Sequence, residues 1–219
     1  MKTLIYNIAL SIAVGAFVFS AKAQTDPKAK SLLDKVSAKT KAYTSIKADF
    51  NYTLENKADD INEVQSGSIA IKGNKYILKI AGQEIQSDGK TIWTYLKDAG
   101  EVQITEVDLE NEDLITPTKL FTMYEKGYRH EYMKEDVLDG VAVAVINIYP
   151  LDVDEKSYHT VKLYIDKEKL EFKKVKILGK EGNTYTYRIK SFMTNIPMND
   201  SDFKFDASKK PGVEVVDLR

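Results

Sequence analysis

The chain presents two histidines, many carboxylates and no cysteine to any chemistry it might perform. His130 and His159 fall on different predicted strands. Neither has the H-x-x-x-H or H-x-x-E spacing that would set two ligands on one metal, so each reads as a surface residue of a polar strand. There is no G-x-S-x-G elbow to expose a serine nucleophile and no glycine loop to cradle phosphate. Asp152-Val153-Asp154-Glu155 resembles part of a calcium loop but lacks its glycine and distal glutamate, and reads as a solvated acidic turn. The 33 acidic residues permit many carboxylate pairs of the kind glycosidases use, yet no spacing singles out two. Without cysteine there is no thiol catalysis, Cys-ligated metal, disulfide or lipid-modified N-terminal cysteine. These residues predict no enzyme, no metal and no cofactor.

Aromatic and aliphatic surface is what the chain has in supply. Ser87-Asp88-Gly89-Lys90-Thr91-Ile92-Trp93-Thr94-Tyr95 holds the single tryptophan. Asp-Gly makes a tight turn, and Thr-Ile-Trp-Thr-Tyr suits a pleated surface with bulky cross-strand neighbours.

The elements that must position such a surface follow from the rest of the chain. Residues 1–23 read as an export signal: Lys2, an apolar run from Leu4 to Phe19, then Ala21-Lys22-Ala23 as the cleavage site. Cleavage leaves residues 24–219 as one domain, soluble, disulfide-free and suited to a bacterial periplasm. Removing Lys2 and Lys22 leaves 30 basic against 33 acidic residues, a net charge of −3. Both signs are interspersed, with no basic stripe for nucleic acid and no polybasic membrane anchor.

Asp26-Pro27 marks a helix start, and Ala29, Leu32, Leu33 and Val36 give that helix one apolar stripe. Ile46, Ala48, Phe50, Tyr52 and Leu54 then alternate with polar residues, the pattern of a strand with one wet side. Short strands follow at 67–72, 75–81, 84–86, the Trp93 stretch and 102–107, with Gly73-Asn74 as a hairpin turn. Leu114 to Tyr124 reads as a second short helix, capped by Thr116 and begun by Pro117. Strands resume at 128–133, 141–149, 160–165, 172–178 and 184–192. Phe203 and Phe205 suggest a last strand before an extended tail at Val213–Val216. The fold class is mainly β with a little α: an incomplete, curled antiparallel barrel with short helices as a lid. An apolar concave face on such a half-barrel must be filled by its own residues or by an apolar guest.

In this order the motifs resemble those of the LolA family, periplasmic carriers of outer-membrane lipoproteins. Ile46-Lys47-Ala48-Asp49-Phe50 resembles the family's first strand, and Ser66-Gly67-Ser68-Ile69-Ala70-Ile71-Lys72 its second. Gln86 to Tyr95 is close to its central S-D-G-k-t-l-W-x-Y motif. Thr116-Pro117-Thr118-Lys119-Leu120-Phe121 resembles its T-P helix, and Asp202-Phe203-Lys204-Phe205 with Pro211-Gly212-Val213-Glu214-Val215 its ending. One departure stands out. Family hairpins usually read Lys-Arg-Pro, the arginine latching the lid, whereas Lys72 is followed here by Gly73-Asn74.

The resemblance implies a monomeric carrier that binds the acyl chains of lipoproteins in a hydrophobic cavity. Its partners would be acylated lipoproteins, an inner-membrane lipoprotein-releasing ABC transporter and an outer-membrane acceptor. The expected cavity residues are Phe50, Tyr52, Tyr76, Leu78, Trp93 and Tyr95, although Ile92, Thr94 and Leu96 compete with Trp93 and Tyr95 for the lining face. The expected lid residues are Leu33, Val36, Leu120, Phe121 and Tyr124. Ordinary core packing is the alternative role for each. The competing functions are an RseB-like lipoprotein-sensing regulator, which usually needs a second domain, and a secreted hydrolase, for which no residue is nominated.

Overall fold

The computed structural model describes residues 26–108 and 123–219. The expected leader at 1–23 and most of the expected second helix, including Leu120 and Phe121, lie outside the described residues.

Helix α1 (Pro27–Lys41) begins where Asp26 predicts. Asp26 Oδ1 accepts from the backbone N–H groups of Lys28 (2.8 Å) and Ala29 (3.4 Å), satisfying donors that the first turn leaves open. Among the described residues twelve strands follow: β1 (Ile46–Asn56), β2 (Ile61–Lys72), β3 (Lys75–Ile80), β4 (Gln83–Ser87), β5 (Thr91–Leu96), β6 (Glu101–Glu106), β7 (Tyr128–Leu138), β8 (Val141–Pro150), β9 (Tyr158–Asp166), β10 (Glu171–Gly179), β11 (Thr184–Thr194) and β12 (Glu214–Asp217). They form one open, curled sheet in the order β12-β6-β5-β4-β3-β2-β1-β11-β10-β9-β8-β7. Hairpins account for every neighbour except two. β1 pairs with β11, joining the two halves, and β12 lies parallel to β6. A twisted sheet this wide curls rather than staying flat.

The main core lies between α1 and one half of the sheet. Ala29, Leu33 and Val36 bury the helix stripe against Ile146 and Ile148 of β8, Val161, Leu163 and Ile165 of β9, and Phe172 and Val175 of β10. Fully burying one such aliphatic side chain contributes roughly 1.5–3 kcal/mol. The face of the sheet that carries α1 is here termed the inner face. A smaller cluster on the other half joins Ile46, Ile71 and Tyr76 with Tyr43, Ile69, Leu78, Ile85 and Phe192.

Of the expected second helix only the end falls among the described residues, where Met123–Glu125 is a 3-10 turn. The expected strand at Phe203 is corrected. Phe203 does not enter a strand but closes another 3-10 turn, Asp200–Phe203, and only the tail beyond Val213 is extended. Phe203 is wholly buried, so its apolar character came from docking onto the sheet rather than from strand pairing.

Candidate functional site

Register decides which predicted residues share a surface. Directly paired residues of neighbouring strands project to the same side of a sheet. Phe50 pairs with Gly67, Ile69 with Leu78, Ile71 with Tyr76, and Tyr52 with Tyr187. Phe50, Tyr52, Tyr76 and Leu78 therefore share one face. On the far side of β1, the pairs Tyr187–Val175, Val175–Leu163 and Leu163–Ile146 carry that face to the strands under α1. It is the inner face.

Trp93 and Tyr95 are not part of it. Leu78 pairs with Ile85, and Ile85 with Thr94; Ser87 pairs with Ile92 and Gln83 with Leu96. The inner face of β5 is therefore Ile92, Thr94 and Leu96. Trp93 and Tyr95, opposite Gln86 and Glu84, face outward. There Tyr95 meets the strap, residues 198–213, that leads from β11 to β12. The Phe205 ring lies 5.9 Å from that of Tyr95, and the Lys210 ammonium 4.6 Å from the Tyr95 centroid.

The strap is held by the hairpin that departs from the family pattern. Lys72 Nζ donates to Met198 O and to Asp200 Oδ1, both at 2.8 Å, and Lys75 Nζ donates to Asp200 Oδ2 at 2.5 Å. These two lysines bring the Asp200 carboxyl down to about 2. Gln86 Nε2 adds a 3.3 Å bond to Asp202 O. The central turn is built as its residues predict. Asp88 Oδ1 accepts from the N–H groups of Lys90 and Thr91, each at 3.0 Å, and buried Ser87 Oγ accepts from Gly89 N at 3.2 Å. Gly89 has φ +90°, and any side chain there would collide with that of Asn74. The hairpin tip and the central turn are thus packed together, which explains why each needs a small or turn-forming residue.

The helix has its own fastenings. Tyr124 is fully buried, and its hydroxyl donates to Leu33 O at 3.1 Å. Glu125 accepts from Lys41 Nζ (2.5 Å) and Ser37 Oγ (2.6 Å), which together hold its carboxyl below the usual range. Asp26 also reaches the free edge of β7. Its Oδ2 accepts from Tyr132 N at 3.0 Å, and its own N–H donates to His130 O at 3.1 Å. His130, expected at the surface, is buried instead, because α1 and the Tyr124 turn close over its end of β7. Its Nε2 lies 2.6 Å from Tyr124 O, while buried Nδ1 has no partner. Burial holds the imidazole below its ordinary pKa. His159 is exposed, as is the acidic turn from Asp152 to Glu155.

Much of the inner face of β1–β5 is apolar: Phe50, Ile69, Ile71, Tyr76, Leu78, Ile85, Ile92 and Leu96. Helix α1 buries its stripe over β8–β10, and Ile69, Leu78, Ile85, Ile92 and Leu96 keep partial exposure. Such a surface can take up an elongated apolar ligand by burial alone. Among the described residues, no three His, Asp or Glu side chains are grouped to hold a metal, and no helix is long and apolar enough to cross a membrane.

The sequence model of the family described as outer membrane lipoprotein carrier protein LolA matches residues 41–206. The chain belongs to the LolA family. Its fold is shared with an uncharacterized conserved protein from Thermus thermophilus, 12% identical, with a TM-score of 0.56 over 87% of this chain and 99% of that one. Looser likenesses include Mycobacterium tuberculosis lipoprotein LppX, at 17% identity and TM-score 0.46 over 78% of this chain and 98% of that one. A LolA superfamily protein from Nitrosomonas europaea is 14% identical, with TM-score 0.44 over 81% and 97%. No curated protein matches the sequence. Within the LolA family pattern, the central S-D-G motif serves here to join hairpin tip, turn and strap, and its tryptophan lies outside the face that could receive a ligand.

Proposed function

We propose that this LolA-family chain is an exported periplasmic carrier that holds lipoprotein acyl chains against its inner face and moves them from inner to outer membrane. The observation that carries the reading is the apolar inner surface of β1–β5, continuous in register yet only partly buried. Transfer to such a surface is worth roughly 0.8 kcal/mol per methylene. That is enough to hold a chain and, on a face left only partly buried, weak enough to release it. The reaction is a handover in which no covalent bond changes. An inner-membrane lipoprotein-releasing ABC transporter would be the donor and an outer-membrane component the acceptor.

Phe50, Tyr52, Tyr76 and Leu78 remain cavity residues in this reading, joined by Ile85 and Ile92. Leu33, Val36 and Tyr124 form the part of the cover that can be described. Release would act through the Glu125–Lys41–Ser37 cluster and the Tyr124–Leu33 bond, since Lys72 is committed to the strap.

Native mass spectrometry of the protein purified from a periplasmic extract tests this directly. An acylated species should co-purify and be lost in Leu78→Asp. A chain that stays empty when offered a triacylated lipoprotein on membranes would overturn the proposal.

A further inference from the structure

The inner face changes character toward one end. Ile177 and Tyr185 pair across β10 and β11, Val175 pairs with Tyr187, and Gly179 pairs with Tyr158 of β9. All of these but Val175, with Lys180, Glu181 and Asn183, line a hollow of about 400 Å³, within the usual range of small-molecule clefts. Tyr52 extends the aromatic wall, its ring 5.4 Å from that of Tyr187 and 6.5 Å from that of Tyr185.

The phenols divide into two kinds. The Tyr158 and Tyr128 hydroxyls bond each other at 2.5 Å. Those of Tyr52, Tyr185 and Tyr187 have no protein hydrogen-bond partner among the described residues. A phenol drawn out of water without a partner loses its hydrogen bonds to solvent, and an aliphatic chain cannot replace them. All three are partly buried, and burial pushes Tyr187 up to about 12. It is therefore a neutral donor and acceptor at any physiological pH. The charged residues at the rim, Lys180 and Glu181, are of opposite sign.

We propose that this tyrosine-lined end is a subsite for a neutral saccharide head, carried by an amphiphile whose alkyl chain lies along the apolar inner face. Aromatic faces stack against the C–H face of a sugar ring, while free phenols exchange hydrogen bonds with its hydroxyls. The balanced rim favours neither an anionic nor a cationic head. The inference rests on the reading that the inner face takes alkyl chains, and it narrows the ligand to a glycosylated lipid or lipoprotein.

Three twelve-carbon probes, all below their micellar concentrations, separate the two ideas by calorimetry on the purified protein. Dodecyl maltoside should bind at least about tenfold more tightly than dodecanoate or dodecylphosphocholine, the gain expected of two neutral hydrogen bonds. In the Tyr185→Phe/Tyr187→Phe variant that preference should vanish while dodecanoate binding stays unchanged, which also shows that the variant folds. Equal binding of all three probes overturns the saccharide subsite and leaves the apolar face standing. A maltoside preference that survives in the variant overturns its assignment to these tyrosines. Failure of every probe to bind overturns both readings.

Discussion

Phe50 lies flat across Gly67: a Cβ built on the glycine would come within 2.5 Å of Phe50 Cζ and 2.6 Å of Cε2. The other side of the ring meets Tyr187 edge-on, with centroids 5.8 Å apart. The glycine is thus the floor of a slot that sets the ring at the junction of the two half-sheets. Gly67→Ala should cost about 1–3 kcal/mol through overpacking, and Phe50→Ala about 3–5 kcal/mol through the lost ring. Urea unfolding of the single and double variants should give strong non-additivity, because both changes act on one contact.

The opposite orientations of Phe50 and Trp93 predict a spectroscopic difference. A fatty acid brominated along its chain quenches only an indole that it touches. Trp93, on the outer face, should keep its emission when the ligand is added. Phe50→Trp in a Trp93→Phe background should lose most of its emission. Equal quenching of the two would place the ligand on the wrong side of the sheet for the proposed carrier.

His130 makes stability depend on pH near neutrality. Its folded pKa lies below the unfolded value of about 6.5, so the unfolded chain binds the extra proton first. Stability should be full above that value and fall as pH drops below it. Lys30, Asp34 and Lys41 of α1, together with Glu125, are the charged groups around the same hollow, two of each sign. In His130→Gln the decline should be delayed until the lowered carboxylates Asp26, Glu125 and Asp200 begin to protonate. Thermal melts from pH 8 to pH 4 would show whether the neutral-range slope disappears.

Asp200 tests the strap separately from the core. The carboxylate is well exposed, and exposed ion pairs contribute little to global stability. Asp200→Asn should therefore leave the melting temperature nearly unchanged. Hydrogen exchange should accelerate over residues 198–205 and remain as in the parent over β1. A uniform acceleration across the sheet would mean that the strap supports the whole fold.

The parts legible in the sequence were those with local causes. Asp26-Pro27 announced α1, the alternation from Ile46 to Leu54 announced β1 and its inner face, and Ser87-Asp88-Gly89 announced a turn. β5 hid its orientation, because Ile92, Trp93, Tyr95 and Leu96 are bulky on both sides and alternation loses its meaning there. The outward face of Trp93 depends on register inherited through β4, β3 and β2 from Phe50. The burial of His130 and the docking of Phe203 were hidden for a related reason. Each is covered by a segment distant in sequence, and nothing in its immediate neighbours reports that cover.

The placement of α1 has a consequence for the order in which the molecule can be assembled. The helix is made before any strand, yet the residues that receive its stripe lie between Ile146 and Val175. Strands β1 to β6 can join as successive hairpins while the helix waits. β1 cannot gain its second neighbour until β11 has been made, and β6 gains its parallel partner only from the last residues of the chain. Chain closure over such separations is slow. A newborn molecule therefore spends most of its synthesis with the apolar stripe of α1 and the apolar inner face of its first strands uncovered, and it is in this interval that a chaperone would find it.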